Sequence, residues 1–411
     1  MAHFIVATIG TYGDVYPFAQ VAIALKKMGH QTTFITNPYF EQTVKQFGLD
    51  FYPLGTKEQY MMVLQNDKLW NDQNFLDIAL TLFLPNLDAI AQYISQRPQN
   101  ETLIILAHQN LLPNAGLAQA LRPNFVTVIG GALYPSVFGE AKESHHIDEP
   151  EERQYSDLPI IPPVNRARAL AGLPTVNSYK ELFTCIASFN VLLFSQWFGE
   201  KEAHWPDNLI AGEFIFHEEI RSSVFTKALE KFLDAPSKPI VCTFGTGNLH
   251  CQHYFEHALH AIKKGNRRAI FICKDKNLLP KNLPDSVLWL EYCNDFPALL
   301  RRCALIVHHG GIGTLAESAR AGIPQLITPS LGDQWDNAAR IKKFQLGSSI
   351  PGPILDADNF YEVMTEILQS AAINQSCADL GVQIRGRLSQ HGIALNIVET
   401  LKQAKVLDQS T

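Results

Sequence analysis

Apolar and β-branched residues come in short runs along this chain, and between the runs apolar positions recur at helical spacing. Phe4 to Thr8 predicts a strand, Val15 to Met28 a helix, and Gln31 to Thr36 a second strand after the Gly29-His30 break. Leu103 to Ala107, Phe125 to Ile129 and Val191 to Ser195 continue the strand series, with helical spacing over Asn114 to Leu121. Strands alternating with helices predict a parallel sheet covered by helices on both faces. The alternation then restarts. Ile240 to Phe244 predicts a strand, Tyr254 to Lys263 a helix, and Ala269 to Cys273, Val287 to Leu290, Leu305 to Val307 and Gln325 to Ile327 further strands.

No internal repeat is visible, yet the two halves read as two doubly wound α/β domains, with a boundary near Gly212. The expected division is 1–213 and 214–389. Between about Gly139 and Ser178 the chain turns acidic and rich in histidine and proline, including Glu149-Pro150-Glu151-Glu152 and Ile161-Pro162-Pro163. This reads as a long surface excursion, either a lid or a loop without function. Ala371 to Leu407 contains amphipathic helices.

The 411 residues suffice for two substantial domains. A net charge of −6 argues against a general nucleic-acid binder, which normally carries a basic face. The seven cysteines form no CxxC pair, which suits free thiols in a reducing, cytoplasmic setting. No run is long and apolar enough to span a membrane. His250, His253, His257 and His260 fall at helical spacing, so a helix face is the plain reading and zinc the remote one.

The densest chemistry is His308-His309-Gly310-Gly311-Ile312-Gly313-Thr314-Leu315-Ala316-Glu317, where a strand hands over to a helix predicted over Thr314 to Ala321. Free backbone N–H groups and the positive end of the helix dipole suit a phosphate there. No lysine follows the glycines, which excludes the nucleotide-triphosphate P-loop. Ala321-Gly322-Ile323-Pro324-Gln325 and Asp333-Gln334-Trp335-Asp336-Asn337-Ala338-Ala339-Arg340 follow.

From His308 to about Gly347 this pattern resembles the nucleotide-sugar signature of Leloir glycosyltransferases with the GT-B fold. It is most similar to the group holding sterol glucosyltransferases, antibiotic glycosyltransferases and the rhamnosyltransferases of rhamnolipid synthesis. The resemblance implies two Rossmann-like domains facing across a cleft, an N-terminal acceptor domain and a C-terminal donor domain. It also implies a final helix, about 390–411, that crosses back onto the first. A UDP- or dTDP-linked sugar would be the co-substrate, with no metal and no other cofactor.

Site roles follow from the same resemblance. His309, Gly311, Gly313 and Thr314 would meet the diphosphate, with Asn337 on the phosphate side. Glu317 would take the ribose hydroxyls, and Asp333 and Gln334 the sugar hydroxyls. Gly245 and Thr246, in a second glycine turn, and Thr11 would add donor contacts, although Gly245-Thr246 also reads as a tight strand-to-helix turn. Tyr292 lies where relatives hold the base, but the usual proline near it is missing, which leaves uridine and thymidine open. His308 reads equally as packing or ligand, and Asp336 with Arg340 as an exposed i,i+4 ion pair.

On the acceptor side, Gly10-Thr11-Tyr12-Gly13-Asp14-Val15 joins the first strand to the first helix. Related enzymes place the general base here, and Asp14 matches the sterol and rhamnolipid type. An aspartate with a pKa of about 3.9 is ionised at neutral pH and would accept the proton late. Asp14 also reads as the N-cap of that helix, and both roles are compatible. His108 follows the strand Leu103 to Ala107 and is open as a partner of Asp14, a replacement base or a packed loop residue.

Phe83 and Tyr134, with neighbours such as Tyr60, Met62 and Phe138, suggest an apolar hydroxylated acceptor. A lipid acceptor would leave room for peripheral membrane contact. The expected activity is inverting hexosyl transfer, UDP-glucose type first and dTDP-deoxysugar type second. A nucleotide-sugar epimerase and a non-catalytic partner protein are the rivals.

Overall fold

Strand β1 (His3–Ala7) is wholly buried, as its unbroken apolar run demands, because it lies at the middle of a parallel sheet. A computed structural model describes residues 2–66, 86–138, 161–170, 172–216, 225–245, 250–293, 295–385 and 390–408. The other strands of the first sheet are β2 (Gln31–Thr36), β3 (Asp50–Pro53), β4 (Leu103–His108), β5 (Val126–Ala132), β6 (Phe189–Leu192) and β7 (Leu209–Ile210). Their order is β3-β2-β1-β4-β5-β6-β7, with every pairing parallel.

The second sheet uses β8 (Ile240–Thr243), β9 (Ala269–Ile272), β10 (Val287–Leu290), β11 (Leu305–His308), β12 (Gln325–Ile327) and β13 (Gly347–Ser349). Its order is β10-β9-β8-β11-β12-β13, again parallel throughout. Alternate residues of its strands feed two separate cores. Ile240, Cys242, Phe271 and Val307 join one, under the Gln252–Lys264 and Ala357–Gln369 helices; Val241, Ile270 and Ile306 join the other, with Leu299 and Leu300.

The chain divides into two compact units, one of residues 1–69, 74–215 and 388–411, the other of 70–73 and 216–387. The last helix, Gln390–Gln403, therefore belongs with the first sheet. It packs on the Tyr12–Lys27 helix, its Ile393, Ile397 and Leu401 are buried, and Asn396 donates to the Ala211 carbonyl at 2.9 Å. Of the acidic, proline-rich excursion, residues 139–160 and 171 lie outside the described residues, so the lid reading does too; Ile161–Leu170 is helical. No helix among the described residues is long and apolar enough to cross a membrane.

Candidate active site

Each sheet reverses its strand order once, between β1 and β4 in the first and between β8 and β11 in the second. Loops leaving the carboxyl ends of two such strands diverge, and the crevice between them is where open α/β sheets bind ligands. Asp14 and His108 stand at the first of these points, and His309 with the glycine loop at the second.

At the first point, Gly10 (φ +127°) turns the chain out of β1, and Thr11 begins the Tyr12–Lys27 helix with extended backbone. Asp14, in the first turn, folds back over this loop. Its Oδ2 accepts the Thr11 N–H at 2.7 Å and the Thr11 hydroxyl at 3.2 Å. A Cβ on residue 10 would lie 2.3 Å from Asp14 Oδ2, so the carboxylate reaches this position only over a glycine. Thr11 rather than Asp14 is therefore the N-cap, and Asp14, third in the helix, closes a capping box through one oxygen while its side chain stays 29% exposed. Thr11 belongs to the first unit and gives both its donors to Asp14.

His108 ends β4 and is buried, with Nε2 3.4 Å from Asp14 Oδ1. Beside them stands an aromatic cluster of which only Tyr60 was expected at the acceptor side. Tyr12, 41% exposed, meets Phe40 edge-on at 5.0 Å and Tyr39 at 6.5 Å, and Tyr39 lies 5.0 Å from Tyr60. Burial, and then the Asp14 charge, push the Tyr60 phenol well above its ordinary value. Tyr12 follows β1 and Tyr39 follows β2, so only the pairing of those strands reveals them as neighbours. Tyr134, after β5, is half-buried, and Phe83 lies outside the described residues.

At the second point, β11 runs into Gly310 (φ +97°), then Gly311 as N-cap, then the Ile312–Ala321 helix. This helix carries no side-chain cap and no acidic residue in its first turn. Its first amides, those of Ile312, Gly313 and Thr314, have no acceptor within the helix. A Cβ on Gly313 would meet nothing within 4 Å, so the protein itself does not require glycine there.

His309 lies between two glycine turns. A Cβ on Gly311 would come 2.5 Å from its Nε2, and one on Gly245 (φ +92°) would come 3.1 Å from its Cε1. Although part of His309 meets solvent, the protein crowded round the ring lowers its pKa to about 4, so it is neutral at pH 7. Nδ1 is buried with no hydrogen-bond partner among the described residues. Thr246 lies outside them.

His308 takes the packing role. It is fully buried, its Nε2 pairs with Gln325 Oε1 at 3.0 Å, its Nδ1 accepts the Gly310 N–H at 3.2 Å, and burial lowers its pKa to about 3. Asn337 braces the glycine loop, donating to the Gly310 carbonyl at 2.9 Å and to Asp333 Oδ2 at 2.8 Å. Both its amide hydrogens are thereby used inside the protein. Gln334 turns its carbonyl to the Ser330 N–H at 2.9 Å, and Glu317, buried in the signature helix, pairs with Arg320 at 2.8 Å. Asp336 and Arg340 do pair, at 2.8 Å, but with side chains only 9% and 14% accessible rather than on an exposed face. Tyr292 is exposed after β10, while Trp289 donates its indole N–H to the Cys273 carbonyl at 2.9 Å.

Residues 4–88 match the N-terminal domain of glycosyltransferase family 28, and residues 269–399 match the erythromycin biosynthesis protein CIII-like C-terminal domain. The O-mycaminosyltylonolide 6-deoxyallosyltransferase of Streptomyces fradiae is 28% identical over 414 residues, 94% of this chain and 92% of that protein. The chain belongs to the UDP-glycosyltransferase-like family of GT-B glycosyltransferases. Another relative of this GT-B chain is the UDP-sugar-dependent glycosyltransferase 52 of Dictyostelium discoideum. It is 24% identical over 418 residues, which cover 90% of this chain but 24% of that protein. The chain likewise spans 33% of the enfumafungin synthase of Hormonema carpetanum. Among solved structures, CalG4, the calicheamicin glycosyltransferase, shares the GT-B fold with a TM-score of 0.74 and 16% identity over 98% of each chain.

Proposed function

We propose that this protein is an inverting glycosyltransferase that moves a hexose from a nucleotide-diphosphate sugar to a hydroxyl of an apolar acceptor. The observation that carries the reading is the uncapped, glycine-rich start of the Ile312–Ala321 helix beside His309. A helix N-terminus with free amides and no carboxylate of its own is an anion site. The neutral His309 offers a phosphate a hydrogen bond rather than a charge, so the amides of Gly313 and Thr314 and the helix dipole would carry the departing diphosphate.

Asp14 serves as the base. Its Oδ2 is held by Thr11, and Oδ1 is left to accept the acceptor hydroxyl proton as the oxygen bonds to the anomeric carbon and the sugar–phosphate bond breaks. The tyrosines around Tyr12 give an apolar, ring-shaped acceptor a surface to lie on.

A UDP-hexose is the first donor to test, in line with the UDP-sugar-dependent relative. A dTDP-linked deoxysugar is the second, and the 6-deoxyallosyl relative favours it. The test is incubation with UDP-glucose or a dTDP-deoxysugar and a panel of sterols and macrolide aglycones, read by mass and by anomeric configuration. A glycoside of inverted configuration is expected. An epimerised donor without any glycoside would sink the reading in favour of the epimerase.

A further inference from the structure

The contact between Asp14 and His108 sets a division of labour that follows from which ring nitrogen holds the proton. His108 lies at the carboxyl end of β4, 1% accessible, beneath the Phe18 ring at 5.6 Å. Its Nδ1 accepts the backbone N–H of Asn110 at 3.1 Å. A backbone amide can only donate, so Nδ1 carries no proton, and the neutral ring holds its single proton on Nε2. That N–H is buried with no hydrogen-bond partner among the described residues, and the nearest carboxylate oxygen, Asp14 Oδ1, lies 3.4 Å away without yet forming a hydrogen bond to it.

Resting on the reading of Asp14 as the base, we propose that His108 is a positioning residue: a neutral donor that orients the Asp14 carboxylate and takes no proton during transfer. Nε2 already carries its hydrogen and Nδ1 is engaged by Asn110, so the ring has no lone pair to offer an acceptor hydroxyl. A carboxylate has about four lone-pair positions. Thr11 fills two on Oδ2, and a small approach of Oδ1 to the His108 N–H would fill a third. One position remains, and its direction is set by the three donors around it. The acceptor hydroxyl is thereby confined to a single approach, which is how orientation lowers a barrier. An unpaired N–H buried against a carboxylate is stabilised as that oxygen moves closer, so the contact tightens when substrate displaces water from Asp14.

The first test needs no activity. Histidine-labelled full-length protein is read by long-range proton–nitrogen NMR, with His108→Gln identifying the resonance. The Nε2–H tautomer is expected at neutral pH, with a proton resonance that moves in Asp14→Asn. An Nδ1–H tautomer, an imidazolium, or no response to Asp14→Asn would overturn the proposal even if the transferase reading stands.

The second test is kinetic. His108→Leu should lower kcat about 10- to 100-fold with acceptor KM and nucleotide Kd kept, the scale expected of a misplaced reacting group. His108→Gln, which can still donate near the Nε2 position, should recover most of the loss. A loss in His108→Leu as complete as in Asp14→Asn would make His108 the base and overturn the assignment. Wild-type kcat in His108→Leu would remove its role altogether. If Asp14→Asn itself retained turnover, the base assignment would fail separately.

Discussion

The two strand-order reversals of this molecule share a topology and differ in what fills the helix start above them. At β1 and β4 the first helical turn holds Asp14, whose carboxylate covers the loop and accepts the Thr11 N–H. At β8 and β11 the helix that follows β11 starts on Gly311 with no cap and no acidic residue. A helix N-terminus attracts one anion. In the first unit the protein supplies that anion itself; in the second it supplies none. On the proposed reading, one helix start would seat the base and the other the diphosphate.

The sharpest way to break this comparison is to remove the resident anion. Asp14→Asn should reduce kcat by about 10²–10⁴, the usual worth of a general base, while leaving nucleotide affinity unchanged. Retained turnover in a product assay would refute the assignment.

At the other helix the contrast lies between neighbouring glycines. Gly313→Ala should stabilise the free protein, by up to about 1 kcal/mol from helix propensity, because a Cβ there meets nothing. The same change should weaken UDP or dTDP binding, since the methyl occupies space left for phosphate. Gly311→Ala should instead destabilise, because its Cβ would strike His309 at 2.5 Å. Melting curves with and without nucleotide separate the two.

The second unit should also respond to acid through its two signature histidines. His308 and His309 titrate at about 3 and about 4 when folded, both depressed by burial, against about 6.5 unfolded. Between those values the unfolded chain binds more protons than the folded one, so stability falls as pH drops from about 6.5 and this contribution stops changing near the folded pKa values. Urea midpoints across that window should show the fall, and His309→Gln should reduce it. An unchanged slope would contradict the assigned burial. The smallest effect is expected at Tyr12→Ala, which should raise acceptor KM about 2- to 10-fold, the scale of one aromatic contact, without touching the donor side.

The central strands were legible almost to the residue. Leu103–His108, Ile240–Thr243 and Leu305–His308 stand within one residue of where they were predicted, because strands inside a sheet write their burial into unbroken apolar runs. Two edge strands were not legible. Asp50–Pro53 and Gly347–Ser349 each pair on one side only, and their charged, proline, glycine and serine residues carry no such signal. The glycine turn and its helix could be read because only backbone chemistry is involved. The duties of Thr11, Asn337, Gln334 and His108 could not, since each depends on a partner that the fold brings within reach. Asn337 braces Gly310 and Thr11 holds Asp14, contacts that spacing along the chain does not announce. Tyr12 and Tyr39 became neighbours only through the pairing of β1 with β2.

The most direct measurement is calorimetric titration of UDP and dTDP, without added metal, into the wild-type protein, Asp14→Asn and Gly313→Val. At least one nucleotide should bind wild type and Asp14→Asn with the same Kd, and Gly313→Val should lose that binding while remaining folded. Binding of neither nucleotide, or loss in Asp14→Asn with retention in Gly313→Val, would contradict the assignment of the donor site to this helix.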